Sequence, residues 1–393
     1  MNKIIFYFLV PTFISFGACQ SKENQSALHL APVVAQKKVI GGDTIMVSDY
    51  GAFKEKVDVP LSSLVSSLNV VLLDNSDEAL MAADGIVTVT ENYIGLSSFS
   101  ARAYKLFDKK GKYLHTITQV GTGPNEYAMA LYDSYIDESN QRIYLLPNRA
   151  RKIMVFDLEG HPQDFIPLPY LVHKGRMRID PENRKVTLFA LPFEDTPSVI
   201  WEQDFEGHIL QEIPSGHFVI SPGDYNNEVG DLFNTSITDF STFYFDNRKD
   251  SLYHYDSVRN RLQPVFTLEL GKEEILNLYT ELPGYYLVTL YTTSDREELK
   301  DPELLVDKKT GRGAFVHFKL DMLGDIELGS SYYFSRGYFI SLISSDELKD
   351  KLETVMATPD KLTPEVAENI QKLQKELVNE EDLVILTGKL KRN

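Results

Sequence analysis

Short apolar runs alternate along this chain with polar turns at a nearly fixed period. Five units share one pattern: an apolar or aromatic run, an aspartate, a few mostly polar residues, then glycine or asparagine. They are Tyr104–Gly111, Ile153–Gly160, Val199–Gly207, Leu252–Asn260 and Glu303–Gly311. Asp108, Asp157, Asp204, Asp256 and Asp307 hold the first turn position, at steps of 49, 47, 52 and 51 residues. Aspartate there can accept the backbone N–H groups ahead of it, and Gly or Asn tolerates positive φ. Each unit therefore predicts a tight hairpin. Strands resume after every turn, as at Tyr113–Ile117 and Ala314–Phe318, and β-branched or aromatic runs such as Lys185–Leu191 and Tyr285–Tyr291 precede them. Four strands in a period of about 50 residues make one propeller blade.

Five periods cover residues 84–320. A sixth blade can be assembled from Ser331–Phe334, Gly337–Leu342 and Leu383–Leu386, with Val70–Leu73 from before the first blade as its fourth strand. The expected fold is an all-β, six-bladed β-propeller over residues 43–393, closed by sharing one blade between its N- and C-terminal strands. Helical spacing of Leu61, Leu64, Val65 and Leu68 predicts a short helix within 60–68. Residues 345–377 predict two amphipathic helices inserted in the last blade. Ser344 with Glu347 looks like a capping box for the first, and Thr363-Pro364 opens the second.

The first 18 residues read as a targeting segment: Lys3, an apolar run from Ile4 to Phe16, then Phe16-Gly-Ala-Cys19. The run is too short to span a membrane. Cys19 is the chain's one cysteine and stands where lipidation requires it. Residues 19–42 are small and polar and read as a flexible tether. Without residues 1–18 the chain carries 39 basic and 57 acidic residues, a net charge of −18. That field opposes nucleic acid and opposes anionic lipid beyond the anchor. A monomer is expected.

Candidate chemistry is sparse. The histidines show no metal-ligand spacing, and His161 and His208 follow the Asp turns on outer strands. No Gly-x-Ser-x-Gly elbow occurs. The acidic groups Glu273-Glu274, Glu297-Glu298 and Glu380-Glu381-Asp382 sit in polar contexts and read as solvated faces. No metal, cofactor or catalytic residue is expected. The segment Gly121-Thr-Gly123-Pro124-Asn125-Glu126-Tyr127 admits two readings. Either Glu126 and Tyr127 meet a ligand at the channel, or the segment is a connecting loop with Tyr127 packed between blades. It lacks the Gly-Lys-Ser/Thr ending of a phosphate loop.

The Phe16–Cys19 box, Val57–Leu64, Val120–Tyr127 and Leu383–Lys391 together resemble the six-bladed β-propeller lipoproteins of Bacteroidota, which are related in shape to NHL-repeat and TolB-like propellers. Asn125 stands where that pattern has a second glycine. The resemblance implies fold and location more than activity. The expected function is a non-catalytic module binding a protein, peptide or glycan in the cell envelope, anchored to the outer membrane. The alternative is a metal-dependent lactonase- or lyase-like enzyme centred on the channel. Its nearest candidates are Asp84, Glu91 and Asn92, with Asp239 and Asp246.

Overall fold

A computed structural model of the chain describes residues 13–17 and 26–392, apart from 83, 194, 222, 231–232, 246–247, 272–274, 293–298, 300, 330–331 and 380–381. Its strands form six sheets around one axis. Blade 1 holds Val87–Val89, Tyr93–Ser98, Ala103–Asp108 and Tyr113–Gln119. Blades 2 and 3 repeat this order from Leu131–Asp137 to Ile166–Val172 and from Gly175–Asp180 to Ile209–Pro214. Blade 4 runs from Glu228–Gly230 to Arg261–Glu269, and blade 5 from Ile275–Glu281 to Gly313–Leu320. Blade 6 joins Tyr332–Ser335, Tyr338–Ser344 and Leu383–Lys389 to Ser67–Leu72 from the other end of the chain. Val384 to Thr387 pair antiparallel with Leu72 to Asn69, so the ring closes by the expected sharing of one blade.

The repeating turns form as their chemistry dictates. Asp108 accepts from the N–H groups of Lys110 and Lys112, and Asp157 from those of Glu159 and His161. Asp204, Asp256 and Asp307 do the same in their turns. Gly111 closes its turn at φ +89°, and a Cβ there would lie 2.2 Å from the Leu72 carbonyl oxygen. Asn260 takes the equivalent place at φ +47°. Its side chain donates to the Glu212 carbonyl and accepts from the Tyr255 hydroxyl, which offsets the strain.

Apolar side chains fill each gap between blades. Tyr104, Leu106, Ile136 and Leu145 pack blade 1 on blade 2, and Val71, Val87, Leu96 and Ile385 pack blade 6 on blade 1. Antiparallel order puts the first-to-second and third-to-fourth connections on one face, here the turn face. The fourth-to-first and second-to-third connections lie on the other, the loop face. The inserted helices α1 (Ser345–Met356) and α2 (Pro364–Glu376) are blade 6's second-to-third connection. Ser344 and Thr363 cap them as expected. Leu348, Leu352, Ile370 and Leu373 seat the pair over blades 5 and 6.

Two parts of the chain depart from the sequence reading. The helix expected within 60–68 is a single 3-10 turn at Leu61–Ser63, after which Ser67 already enters the shared strand. Leu61, Leu64, Val65 and Leu68 are all buried, so the apolar spacing records burial rather than helix. Residues 26–42, read as part of a tether, pack on the propeller. Leu28 is fully buried, and Ala35–Ile40 pairs with Asp43–Asp49, which extends blade 4 beyond Arg261–Glu269. Lys56–Pro60 likewise lies along blade 5, and Phe13–Gly17 along the shared strand of blade 6. These additions cover outer strand edges that would otherwise expose unpaired backbone. Cys19 lies outside the described residues.

Candidate functional site: the loop-face mouth of the channel

The Gly121–Tyr127 segment is the connection from blade 1 to blade 2 on the loop face. Gly123 N–H and the Gln119 amide donate to Glu126, and these bonds hold its carboxyl below the usual range. A Cβ on Gly121 would lie 1.9 Å from Glu126 Oε2, so glycine lets the carboxylate fold into its own loop. Thr118 donates to the Asn125 carbonyl, and Lys152 to that of Pro124. Tyr127 is buried in the cluster between blades 1 and 2. The structure thus folds Glu126 onto its own loop and buries Tyr127 between the blades.

Toward the turn face, side chains from distant blades meet across the axis. Arg336, in the first turn of blade 6, donates through Nη2 to both carboxylate oxygens of Asp133 on blade 2, each at 2.9 Å. It also reaches the Met177 carbonyl on blade 3 and lies over the Phe233 and Tyr135 rings. Asp133 accepts the N–H groups of Ser134 and Met177 as well. Asn234 of blade 4 bonds the Phe334 carbonyl and the Gly337 N–H of blade 6. The enzyme candidates do not converge here. Asp84 caps Ser98, Phe99 and Ser100 on the loop face. Glu91 pairs with Lys389 and Asn92 with Glu138, both toward the turn face. Asp239 is buried at the start of a second strand, and Asp246 lies outside the described residues, as do Glu273-Glu274, Glu297-Glu298 and Glu380-Glu381.

Beyond these contacts, blades 2, 3 and 4 bring polar and aromatic groups together at the loop-face mouth. Lys174 and Arg176 begin the first strand of blade 3, Tyr132 that of blade 2 and Glu228 that of blade 4. Buried Lys174 donates to Glu228 at 2.5 Å and to the Tyr225 and Asn227 carbonyls. The Tyr132 hydroxyl donates to Glu228, and burial with that acid raises its pKa. His173 is buried, with Nε2 2.9 Å from Asp195. Phe193 packs on its ring, and Tyr225, 55% exposed, stacks on Phe193 with centroids 5.2 Å apart. Leu80, Phe99, Met129, Phe245 and Val378 are exposed in other connections of the same face. None of these residues repeats from blade to blade, so the period that revealed the fold gave no sign of them.

On the turn face, clefts of about 290–400 Å³ recur between blades 2 and 3, 3 and 4, and 6 and 1. Their equivalent positions mark them as gaps left by blade splay. Asp157, Glu159 and His161 form the described group of three potential metal ligands, on an outer turn away from the channel. His161 and His208 are exposed, as expected, and each lies against its own turn aspartate.

Glu303 is an acid whose environment favours the protonated form. Burial pushes Glu303 of blade 5 up to about 7, although the Tyr332 hydroxyl of blade 6 donates to it and His317 lies near. The folded chain therefore holds this proton to about pH 7, whereas the ordinary glutamate value is 4.5. The folded state binds more protons in that window, so stability falls as pH rises from about 4.5 to about 7 and then levels off. Glu303→Gln should leave Tm unchanged near pH 4.5 and raise it at pH 8 in calorimetric scans.

Fold and site together define a six-bladed β-propeller whose axis is crossed by contacts between distant blades and which gathers polar and aromatic groups on one face. The chain belongs to the family described as domain of unknown function DUF4934, which matches residues 45–389. A protein described as exported from Bacteroides fragilis shares the fold at a TM-score of 0.56 and 14% identity, over 88% of this chain and 100% of that chain. A DUF4221-family protein of Bacteroides vulgatus aligns at 0.44 and 13% identity, over 84% and 98%. No curated protein matches the sequence. Among the described residues, no helix is long and apolar enough to cross a membrane.

Proposed function

We propose that the protein is a non-catalytic binding propeller of the bacterial cell envelope, whose partner sits on the loop face over the channel mouth. The observation that carries this is a set of exposed apolar and aromatic groups in the connections around the polar centre. Tyr225, Phe99, Met129, Leu80 and Phe245 are exposed on the face where the polar mouth opens. Exposed apolar groups around a polar centre suit a polypeptide surface better than a small metabolite. The binding panel is an array of peptides and glycans. A variant carrying Phe99→Ser, Tyr225→Ser and Phe245→Ser should lose at least tenfold in affinity for the ligands that wild type retains. Val258→Ser, on the turn face, should lose nothing. Loss on Val258→Ser alone would contradict the reading.

The anchor belongs to the same proposal. The Phe16–Cys19 box would direct cleavage before Cys19, which removes the Phe13–Gly17 strand from the edge of blade 6, and lipidation of Cys19, placing the propeller at the outer membrane as a monomer. Cys19→Ala should abolish fatty-acid labelling and release the protein into the soluble fraction. Unchanged membrane retention would refute the anchor.

A further inference from the structure

We propose that Arg176 is the ligand-contacting residue of the mouth and that it takes a carboxylate presented by the partner, from an acidic side chain or a chain terminus. The proposal rests on the loop-face reading above and names the group recognised there.

Charge pairing singles out this residue. Three cations from first strands and their turns meet around the axis. Arg336 is neutralised by Asp133, and Lys174 by Glu228. Arg176 meets no carboxylate among the described residues. Its guanidinium donates to the Tyr132 carbonyl, and its Nε–H is buried without an acceptor. Its charge acts both on Tyr132 of blade 2 and on Tyr333 of blade 6, so it lies near both blades. Arg336 reaches the carbonyl of the next residue, Met177, so both cations lie at the same part of the blade 3 first strand. Close by, the buried ring of His173 also leaves Nδ1 without a partner.

A buried donor without an acceptor costs about 1–3 kcal/mol. In a chain of net charge −17, an arginine without an acid partner is not explained by a shortage of acids. A carboxylate entering from the loop face would accept the orphan N–H and complete the ion pair, in the bidentate geometry that guanidinium favours. Tyr225 and Phe193 at the rim would pack against whatever carries it.

The test uses the whole propeller at low salt, labelled for arginine Nε–H resonances, with Arg176→Lys to assign the signal. Acetate and N-acetylglutamate should shift the Arg176 resonance saturably, whereas neutral acetamide should not. Arg176→Gln should bind N-acetylglutamate at least tenfold more weakly, with a Tm equal to or above that of wild type. Sulfate is the competing arm, and saturation by sulfate without carboxylate binding would overturn the proposal. So would a marked fall in Tm in Arg176→Gln with unchanged carboxylate affinity, because the arginine would then be structural. A carboxylate shift at Arg176 alongside full panel binding by the Phe99, Tyr225 and Phe245 variant would refute the loop-face partner surface and leave the carboxylate site standing.

Discussion

Arg336→Ala is expected to destabilise the propeller by about 3–5 kcal/mol, because it leaves the Asp133 carboxylate buried without its cation. Both side chains are largely buried, and both carboxylate oxygens use the arginine. The loss should extend beyond one blade. Arg336 comes from blade 6, Asp133 from blade 2 and the Met177 carbonyl from blade 3, so the contact crosses the axis. Denaturant unfolding of Arg336→Ala should show a large fall in midpoint, and Asp133→Asn together with Arg336→Met should recover much of it. An unfolding free energy within about 1 kcal/mol of wild type, the worth of an exposed ion pair, would show that the contact is not a buried clamp.

Gly111→Ala should also cost several kcal/mol, and Gly160→Ala about 1–3. Both glycines sit at positive φ in equivalent turns, so the backbone strain is shared. The difference lies in the neighbours. A Cβ at Gly111 would lie 2.2 Å from the Leu72 carbonyl oxygen of the shared strand, whereas at Gly160 the nearest atom is 3.3 Å away. The Asp74 N–H also donates to the Gly111 carbonyl, so the turn is fastened to the strand that closes the ring. Thermal unfolding of the two variants side by side should rank Gly111→Ala well below Gly160→Ala. Equal effects would mean that only the turn conformation matters.

The blade period was legible because each turn repeats the same local chemistry, with Asp at the first position and a residue tolerant of positive φ at the last. The capped helices were legible for the same reason, since Ser344 and Thr363 act on N–H groups three residues ahead. Leu61 to Leu68 misled because their spacing fits a helix as well as it fits burial in an irregular segment. The docking of residues 26–42 was hidden because Leu28 and Ala35 find their partners on blades far along the sequence. The mouth was hidden more deeply. Tyr132, Lys174, Arg176 and Glu228 become neighbours only when three blades converge, and none belongs to a motif. Gly121–Tyr127 drew notice as a motif, yet its carboxylate serves its own loop.

Hydrogen exchange on the propeller with and without the tightest ligand from the binding panel tests the loop-face account most directly. The account predicts slowed exchange in the connections at 99–102, 128–130 and 224–227, and unchanged exchange in the turns at Asp157, Asp204 and Asp256. Protection confined to those turns, with the loop face unaltered, would contradict it.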